Sequence, residues 1–309
     1  MFLVVLLYAL FASVFTIAKT GLEYSQPLFF VGSRMFMAGI FMLGYLVLFK
    51  REEFTFRPGH FGRIFRLALF NIYLTNVFEF WGLKYLTSFK TCFIYSLSPF
   101  FSALLSYWMF SDKMSKKKWL GLLIGFIGFL PILLNETSTE EQSGQLFFLS
   151  WAELAVVCAA CFAVYGWVIL KQLVQENGYS PFMVNGLSMT LGGTMALVHS
   201  YFVEPWDPVP VTEFKPFIEC ALLLIAISSF ICYNLYGYLL KKYSVTFISF
   251  AGFITPFFTA LFGWLYLGEV VTWPFWLSAV IVFIGLYTFN QEELLESYAE
   301  SESRLTSAN

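Results

Sequence analysis

The chain has few charged residues and almost no histidine. Only 12% of its 309 residues are Asp, Glu, Lys or Arg, against about 25% in soluble domains. Its two histidines, His60 and His199, lie in different regions. No acidic pair falls inside an apolar segment, as diphosphate–magnesium chemistry would require. The sequence therefore predicts no enzyme, no resident metal and no cofactor.

The low net charge and the small number of cysteines also limit the possible class of protein. The net charge is only −2, so nucleic acid is not predicted as a partner, and no Gly-rich phosphate loop is present. The five cysteines all lie in apolar runs, which predicts reduced packing residues rather than disulfides. Cys158-x-x-Cys161 has the spacing of a redox pair, but a buried helix face disfavours thiolate chemistry.

Apolar residues are abundant instead. They make up 59% of the chain, with 39 phenylalanines, more than one soluble core can bury. Runs close to the roughly 20 residues that span a bilayer predict an all-α integral membrane protein with ten transmembrane helices. The first run lacks a basic leader and a cleavage site, so we expect it to be retained. The runs cover residues 2–20, 28–49, 65–83, 89–110, 119–134, 149–171, 181–202, 217–240, 246–267 and 274–290.

An internal duplication organises these segments. With an offset of 157 residues, Ser98-Pro-Phe-Phe falls on Thr255-Pro-Phe-Phe, and 11 of the 31 positions from Ser98 to Gly128 are identical. Each copy contains five segments, an odd number, so the second copy is predicted to be inverted in the membrane. The predicted domains are a first repeat at 1–134, an external linker at 135–148, a second repeat at 149–290 and a disordered cytoplasmic tail at 291–309.

The distribution of basic residues predicts the orientation. With a cytoplasmic N-terminus, 13 Lys and Arg residues lie on the inside and four on the outside, as the positive-inside rule requires. Both termini are therefore predicted to be cytoplasmic. The inside residues are Lys50, Arg51, Arg57, Arg63, Arg66, Lys113, Lys116, Lys117, Lys118, Lys171, Lys241, Lys242 and Arg304, and the outside residues are Lys19, Lys84, Lys90 and Lys215.

Ten helices in two repeats, with a Ser/Thr-Pro-Phe-Phe-x-Ala-Leu motif in helices four and nine, resemble the drug/metabolite transporter superfamily of the EamA type. The resemblance covers the chain except its tail. Other positions that match the family are Arg34 after Pro27, the acidic Asp112 and Glu269 after helices four and nine, and the glycines of helices five and ten, Gly121, Gly125, Gly128 and Gly285. In the first repeat Ser111-Asp112-Lys113 departs from the more typical Gly268-Glu269 of the second.

The resemblance implies a secondary carrier in a bacterial inner membrane, with a central cavity lined mainly by helices one, three, four, six, eight and nine. The family includes amino-acid and metabolite carriers, among them S-adenosylmethionine carriers of host-dependent bacteria. Family membership leaves the substrate open, so the site must decide it.

Glu79 is the leading candidate for the site, because it lies midway along helix three. An unpaired charge there costs at least about 2.5 kcal/mol, so Glu79 is expected to face a cavity or a partner. It would bind a cationic group or carry a coupling proton; the alternative is a structural carboxylate. Asn76 and Asn234, related by an offset of 158, would bind a polar edge of the substrate or form interhelical hydrogen bonds.

Aromatic and proline side chains complete the predicted site. Rings on the cavity helices would stack on a purine or attract a sulfonium or ammonium group, although contact with lipid is the alternative for each. Pro99 and Pro256 break helix hydrogen bonds and would shape or gate the site, or simply kink the helices. Arg34 is interpreted as an anchor of helix two near its outer end or as a structural partner, with substrate contact as the alternative. The predicted rings are Phe78, Trp81, Tyr165, Trp167, Tyr233 and Tyr236.

The sequence thus predicts a secondary active transporter of a small zwitterionic or cationic metabolite. An S-adenosylmethionine-type solute fits the intramembrane Glu79 among aromatic rings, with exchange as one mode of its transport. An amino acid or another metabolite exported by the same family is the alternative, and a channel or membrane enzyme is the rival class. Gly121-x-x-x-Gly125 permits close helix contact, including contact across a homodimer.

Overall fold

The computed structural model describes residues 2–110, 115–133, 138–146, 149–241, 243, 248 and 251–306. The described chain is mostly helical. Its α-helices are α1 Phe2–Leu22, α2 Pro27–Phe49, α3 Phe61–Leu67, α4 Thr75–Tyr85, α5 Ser88–Tyr95, α6 Ser98–Phe110, α7 Lys116–Leu133, α8 Ser138–Glu141, α9 Trp151–Lys171, α10 Pro181–Val203, α11 Phe214–Leu224, α12 Tyr233–Leu239, α13 Thr255–Phe262 and α14 Trp273–Thr306. Strands β1 Gln145–Leu146 and β2 Leu149–Ser150 pair antiparallel.

The chain divides into two compact units. The first contains residues 1–102 and 136–271, and the second contains residues 103–135 and 272–309. The candidate site lies entirely within the first unit.

Five helices are long and apolar enough to cross a membrane, and two shorter apolar helices accompany them in the described part of the chain. The five are Phe2–Gly21, Pro27–Phe49, Trp151–Glu176, Pro181–Val203 and Phe214–Leu239, and the shorter two are Gly252–Leu267 and Trp273–Phe289. All ten predicted segments are mostly helical where the structure describes them, but ten spans stay a prediction. The third segment is interrupted by polar side chains at Asn71, Asn76 and Glu79, which lower its hydropathy.

Two π-helical stretches occupy equivalent places in the two halves. Residues Ala68–Leu74 precede α4, and residues Ile225–Cys232 precede α12. Their starting positions differ by the same 157 residues that relate the Pro-Phe-Phe motifs. Short π-helical stretches occur frequently at functional sites, because they displace a backbone hydrogen bond and redirect side chains.

Local signals in the sequence set several helix starts. Ser180 accepts a hydrogen bond from the Met183 amide and Pro181 occupies the first turn of α10, where a missing N–H costs nothing. A capping box between Ser150 and Glu153 starts α9, satisfying two otherwise orphaned donors. At the start of α2 the Glu204 carboxylate accepts from the Leu28 and Phe29 amides, so an anion meets the positive end of the helix.

Glycines allow the closest helix approaches within the first unit. A side chain on Gly193 of α10 would overlap the Phe36 backbone of α2, and one on Gly39 would overlap Thr190. On α4, Gly82 lies against Ala152 and Val156 of α9. Small residues substitute for a hydrophobic driving force between helices in lipid, because they permit close van der Waals packing.

In the second unit the glycines of α7 make a contact within the chain. Gly121 lies against Gly285 and Phe289 of α14, and Gly128 lies against Val282. The Gly121-x-x-x-Gly125 pattern is therefore used between two helices of one chain, and it supplies no separate argument for a dimer.

The structure differs from the sequence-based expectation at the C-terminus. Helix α14 continues to Thr306, whereas residues 291–309 were expected to be disordered. No Gly or Pro interrupts this stretch, and Gln, Glu, Leu and Ala favour helix. Ser307–Asn309 lie outside the described residues, as do Asp112 and Lys113. Within the predicted linker the structure describes α8 and β1, and β2 follows directly after it.

Candidate substrate cavity

A cavity of about 140 Å³ lies among the helices of the first unit. Residues of α1, α2, α4, α5, α9 and α12 line it, together with the two π-helical stretches, the first residues of α6 and α13, and the residues Ser96 and Gly252 that precede these two helices. Its polar lining residues include Arg34, Asn71, Thr75, Asn76, Glu79 and Ser96, and its aromatic lining residues are Tyr8, Phe11, Phe15, Tyr95, Trp167, Tyr233 and Tyr236.

Glu79 and Tyr95 form the acidic part of the cavity. The Tyr95 hydroxyl donates a hydrogen bond of 2.7 Å to Glu79 Oε2. Tyr95 comes from α5 and packs edge-on against Phe15 of α1, with ring centroids 5.8 Å apart. The carboxylate is therefore oriented from one side and open to a cationic group from the cavity.

Asn76 and Asn234 perform the same local task in the two halves. The Asn76 amide nitrogen donates to the carbonyl oxygens of Ile72 and Asn71, at 2.9 and 3.3 Å. The Asn234 amide nitrogen donates to those of Phe230 and Ser229, at 2.9 and 3.1 Å. Each amide bonds the carbonyls four and five residues earlier, where the π-helical stretch changes the backbone pairing. The two halves are therefore chemically equivalent here.

The amide oxygens of these two residues have different partners. Asn76 Oδ1 accepts from Arg34 Nη2 at 2.6 Å, whereas Asn234 Oδ1 accepts from Asn185 Nδ2 at 3.1 Å. Asn76 lines the cavity and Asn234 does not. The first half therefore presents a charged group to the cavity where the second half has a neutral amide.

Arg34 lies deep in the protein, with 1% of its surface exposed. Its guanidinium carbon lies 4.5 Å from the centre of the Phe80 ring, a favourable cation–π arrangement. Arg34, expected to anchor helix two or to pair structurally, lies in the cavity lining.

Three of the predicted rings form an aromatic wall. Trp167 and Tyr236 are stacked, with centroids 4.0 Å apart and planes at 25°, and Tyr233 lies 5.2 Å from Trp167. The Tyr233 hydroxyl also accepts from the Asn76 amide at 3.4 Å. This wall links the aromatic part of the cavity directly to its polar part.

The structure places three other predicted rings outside the cavity. Phe78 and Trp81 line a separate groove of about 600 Å³, because side chains at positions 76 and 79 share one helix face and 78 and 81 point elsewhere. Tyr165 packs on Phe70, with centroids 4.9 Å apart. It lies two residues from Trp167, and therefore on another side of α9.

The prolines stand at helix starts rather than in the cavity lining. Helix four is interrupted between α5 and α6, and Pro99 lies in the first turn of α6; Pro256 lies in the first turn of α13. Their neighbours Ser98 and Thr255 do line the cavity. Each hydroxyl donates to the carbonyl three residues earlier, Tyr95 and Gly252. A gating role for the prolines stays a prediction.

Sequence reasoning missed Tyr8, Tyr95 and Ser96. Tyr8 donates to the Ile248 carbonyl and lines the cavity. Ser96 also lines it, and its buried hydroxyl has no hydrogen-bond partner within the described part of the chain. The available signal for Tyr95 was its place three residues before Ser98, inside the repeated motif region. In the described residues, no group of three or more His, Cys, Asp or Glu side chains is arranged to hold a metal ion.

Apolar helices surrounding an internal polar and aromatic cavity define a multi-pass α-helical membrane protein that accommodates a small molecule. The model of the EamA-like transporter family matches residues 1–134 and 150–291. The chain belongs to this family. The match begins again after the linker, in agreement with two copies of one unit.

The chain is also similar to curated transporters. It is 36% identical over 301 residues to the S-adenosylmethionine/S-adenosylhomocysteine transporter of Chlamydia muridarum (strain MoPn / Nigg), covering 97% of this chain and 94% of the relative. The protein of the same name from Chlamydia trachomatis serovar D is 36% identical over 298 residues, covering 96% and 90%. An uncharacterized transporter of Bacillus subtilis, YoaV, is 25% identical over 283 residues, covering 89% and 92%.

A solved crystal structure of a protein has a similar fold. It matches with a TM-score of 0.64 and 13% sequence identity, covering 94% of this chain and 95% of that chain. At this identity the likeness concerns the fold alone.

Proposed function

We propose that this protein is a secondary active transporter that exchanges an S-adenosylmethionine-type solute across a bacterial inner membrane by alternating access. The proposed substrate rests on one observation, the lining of the cavity, in which Glu79 lies together with the aromatic wall of Trp167, Tyr233 and Tyr236. A carboxylate suits a sulfonium or ammonium group, and the rings suit an adenine and attract cations. The names of the chlamydial relatives support the same solute class.

The proposal includes ten spans in two inverted five-helix repeats, at 1–134 and 149–290, with both termini cytoplasmic. The equivalent π-helical stretches and the matched Asn76 and Asn234 contacts support the duplication. The excess of Lys and Arg on the predicted inner side supports the orientation. Inverted repeats bind substrate between their halves and alternate by rocking. The proposed transporter moves its substrate without altering it chemically. A homodimer stays a prediction, and no contact among the described residues supports it.

An amino acid is the second candidate substrate, and the size of the cavity favours it. Drug-sized ligands occupy pockets of about 300–1,000 Å³, and the cavity measures about 140 Å³. A nucleoside-containing solute therefore requires the lining helices or side chains to move on binding, whereas a small amino acid requires less movement.

Counterflow in proteoliposomes tests the proposal. Vesicles preloaded with unlabelled S-adenosylmethionine should accumulate the labelled compound faster than empty vesicles, because an exchanger is trans-stimulated and a channel is not. S-adenosylhomocysteine inside should also drive uptake. Absence of trans-stimulation with S-adenosylmethionine and with amino acids would reject the carrier, whereas trans-stimulation by amino acids alone would select the second candidate.

Glu79→Gln tests the assigned role of the carboxylate. We expect at least about a tenfold loss of counterflow with an unchanged elution profile, because hydrogen bonds to a charged group contribute about 1.5–3 kcal/mol. Glu52→Gln is the matched control, since Glu52 is exposed in the turn Arg51–Glu53. Transport by Glu79→Gln at the rate of the control would remove Glu79 from the site.

A further inference from the structure

Arg34 has hydrogen-bonding capacity that the protein does not use. Its Nη2 donates to Asn76 at 2.6 Å. Among the described residues, its Nη1 has a hydrogen-bond contact only with the Met35 sulfur, at 3.9 Å, and its buried Nε has no hydrogen-bond partner. A guanidinium carries five N–H donors, and leaving buried donors unsatisfied is costly. The free donors belong to a residue that lines the cavity.

The equivalent place in the second half shows that the charge is not needed for the helix contact. There the amide oxygen of Asn234 accepts from the neutral Asn185, and the π-helical stretch and its amide contacts are the same. A neutral amide therefore suffices to hold such an asparagine in place. The positive charge in the first half requires another explanation.

The cavity also contains the opposite charge. Arg34 and Glu79 lie close enough to attract one another electrostatically, but no ion pair joins them among the described residues. Glu79 is oriented by Tyr95 instead. Two unpaired opposite charges facing one cavity favour a solute that carries both signs, since such a solute neutralises both groups at once.

We propose that Arg34 is the residue that binds the carboxylate of the substrate, through Nε–H and the remaining guanidinium donors, while Glu79 receives the cationic group. A planar guanidinium matches a carboxylate in fork geometry. The unpartnered Ser96 hydroxyl, also in the lining, supplies a further donor. The inference rests on the proposed transport function and specifies its substrate class: solutes with an α-amino-acid group, not nucleosides or simple cations.

Competition for labelled S-adenosylmethionine counterflow tests this assignment. The two probes are S-adenosylmethionine and its decarboxylated analogue, which keeps the sulfonium, amine and adenosine. Wild-type protein should prefer the carboxylated probe. In Arg34→Gln the affinity for that probe should fall about 10- to 100-fold, the range of a charge-assisted hydrogen bond, while the affinity for the analogue stays the same. The ratio of the two affinities is the decisive measurement.

Three controls separate binding from folding. Arg34→Lys keeps the positive charge but loses the paired donor geometry of the guanidinium, so the ratio of the two affinities should be intermediate. This variant replaces Arg34→Gln in the test if Arg34→Gln does not fold. Arg66→Gln, at an exposed arginine that bonds the Gly62 carbonyl, should behave as wild type. Elution profile and thermal midpoint are recorded for each variant.

The outcomes distinguish this inference from the proposed function. An equal loss for both probes, or no preference in the wild type, would make Arg34 structural and overturn the inference while transport stands. If S-adenosylmethionine is not transported but a labelled amino acid is, and wild-type counterflow of that amino acid requires its carboxylate while Arg34→Gln abolishes that requirement, the inference stands and the proposed substrate falls. Failure of every carboxylate-bearing probe to compete would overturn both.

Discussion

Replacing Lys90 with methionine should destabilise the first unit strongly. Lys90 lies in α5, and its ammonium contacts both carboxylate oxygens of Glu140 in α8, at 2.8 and 2.9 Å, and Glu153 in α9, at 2.8 Å. The exposed fraction of Lys90 is 3%, and both glutamates are completely buried. Ser150 also donates to Glu140, by its hydroxyl, and to Glu153, by its amide.

The magnitude follows from the charges left behind. One ammonium neutralises one of the two carboxylates, and the positive end of α9, where Glu153 belongs to the capping box and which is equivalent to roughly half a charge, offsets part of the other. Lys90→Met removes the ammonium and leaves two buried carboxylates together. Removing one partner of a buried ion pair costs about 3–5 kcal/mol, and two stranded carboxylates place this variant at the upper end.

The assay compares thermal midpoints of purified variants in one detergent. Lys90→Met should unfold well below the wild type, and the triple variant with Glu140→Gln and Glu153→Gln should recover much of the loss, because no unpaired charge is then buried. Lys50→Met is the control: its pair with Glu53 is exposed, at 51% and 37%, and its midpoint should stay unchanged. A Lys90→Met midpoint equal to that of the control, or a triple variant no more stable than Lys90→Met, would refute the reasoning.

Two further variants test helix packing and helix ends. Gly193→Ala should destabilise the protein by about 1–3 kcal/mol, because its new methyl group would overlap the backbone of the facing helix. Gly44→Ala is the control and should not lower the thermal midpoint, because the space around Gly44 is open. Equal midpoints for the two variants would contradict the close packing. Glu269→Gln should lower the thermal midpoint by the equivalent of about 1 kcal/mol. The reason is that the Glu269 carboxylate accepts hydrogen bonds from the amide and the hydroxyl of Ser88, both at 2.7 Å, at the start of α5. An unchanged midpoint would show that this cap does not stabilise the helix start.

The sequence was informative wherever a pattern along the chain is compatible with only one physical environment. Long apolar runs with few charges require lipid, and the basic loops carry an orientation signal. Glu79 was recognisable because a carboxylate midway along an apolar helix is costly unless it has a use. The Pro-Phe-Phe repeat and the family resemblance were readable in the same way, and the family model matches both copies.

The rotation of each helix was not readable, because a helix surrounded by lipid and by other helices can be apolar on every side. Asn76 and Glu79 face the cavity while Phe78 and Trp81 face a separate groove. From the sequence, Arg34 was interpreted as an anchor or a structural partner rather than a substrate contact, because the cavity lining that contains its Nε is visible only in the structure.

What the sequence by itself determined is therefore the class of protein, its apolar helical character, the repeated Pro-Phe-Phe motif and the one conspicuous acidic residue. These depend on composition and on spacing along one helix. Only the tertiary structure decided which side chains meet: Tyr95 with Glu79, Arg34 with Asn76, and Lys90 with Glu140 and Glu153. Such contacts join residues far apart in the chain, and their geometry depends on helix rotation and close packing, which no local pattern encodes.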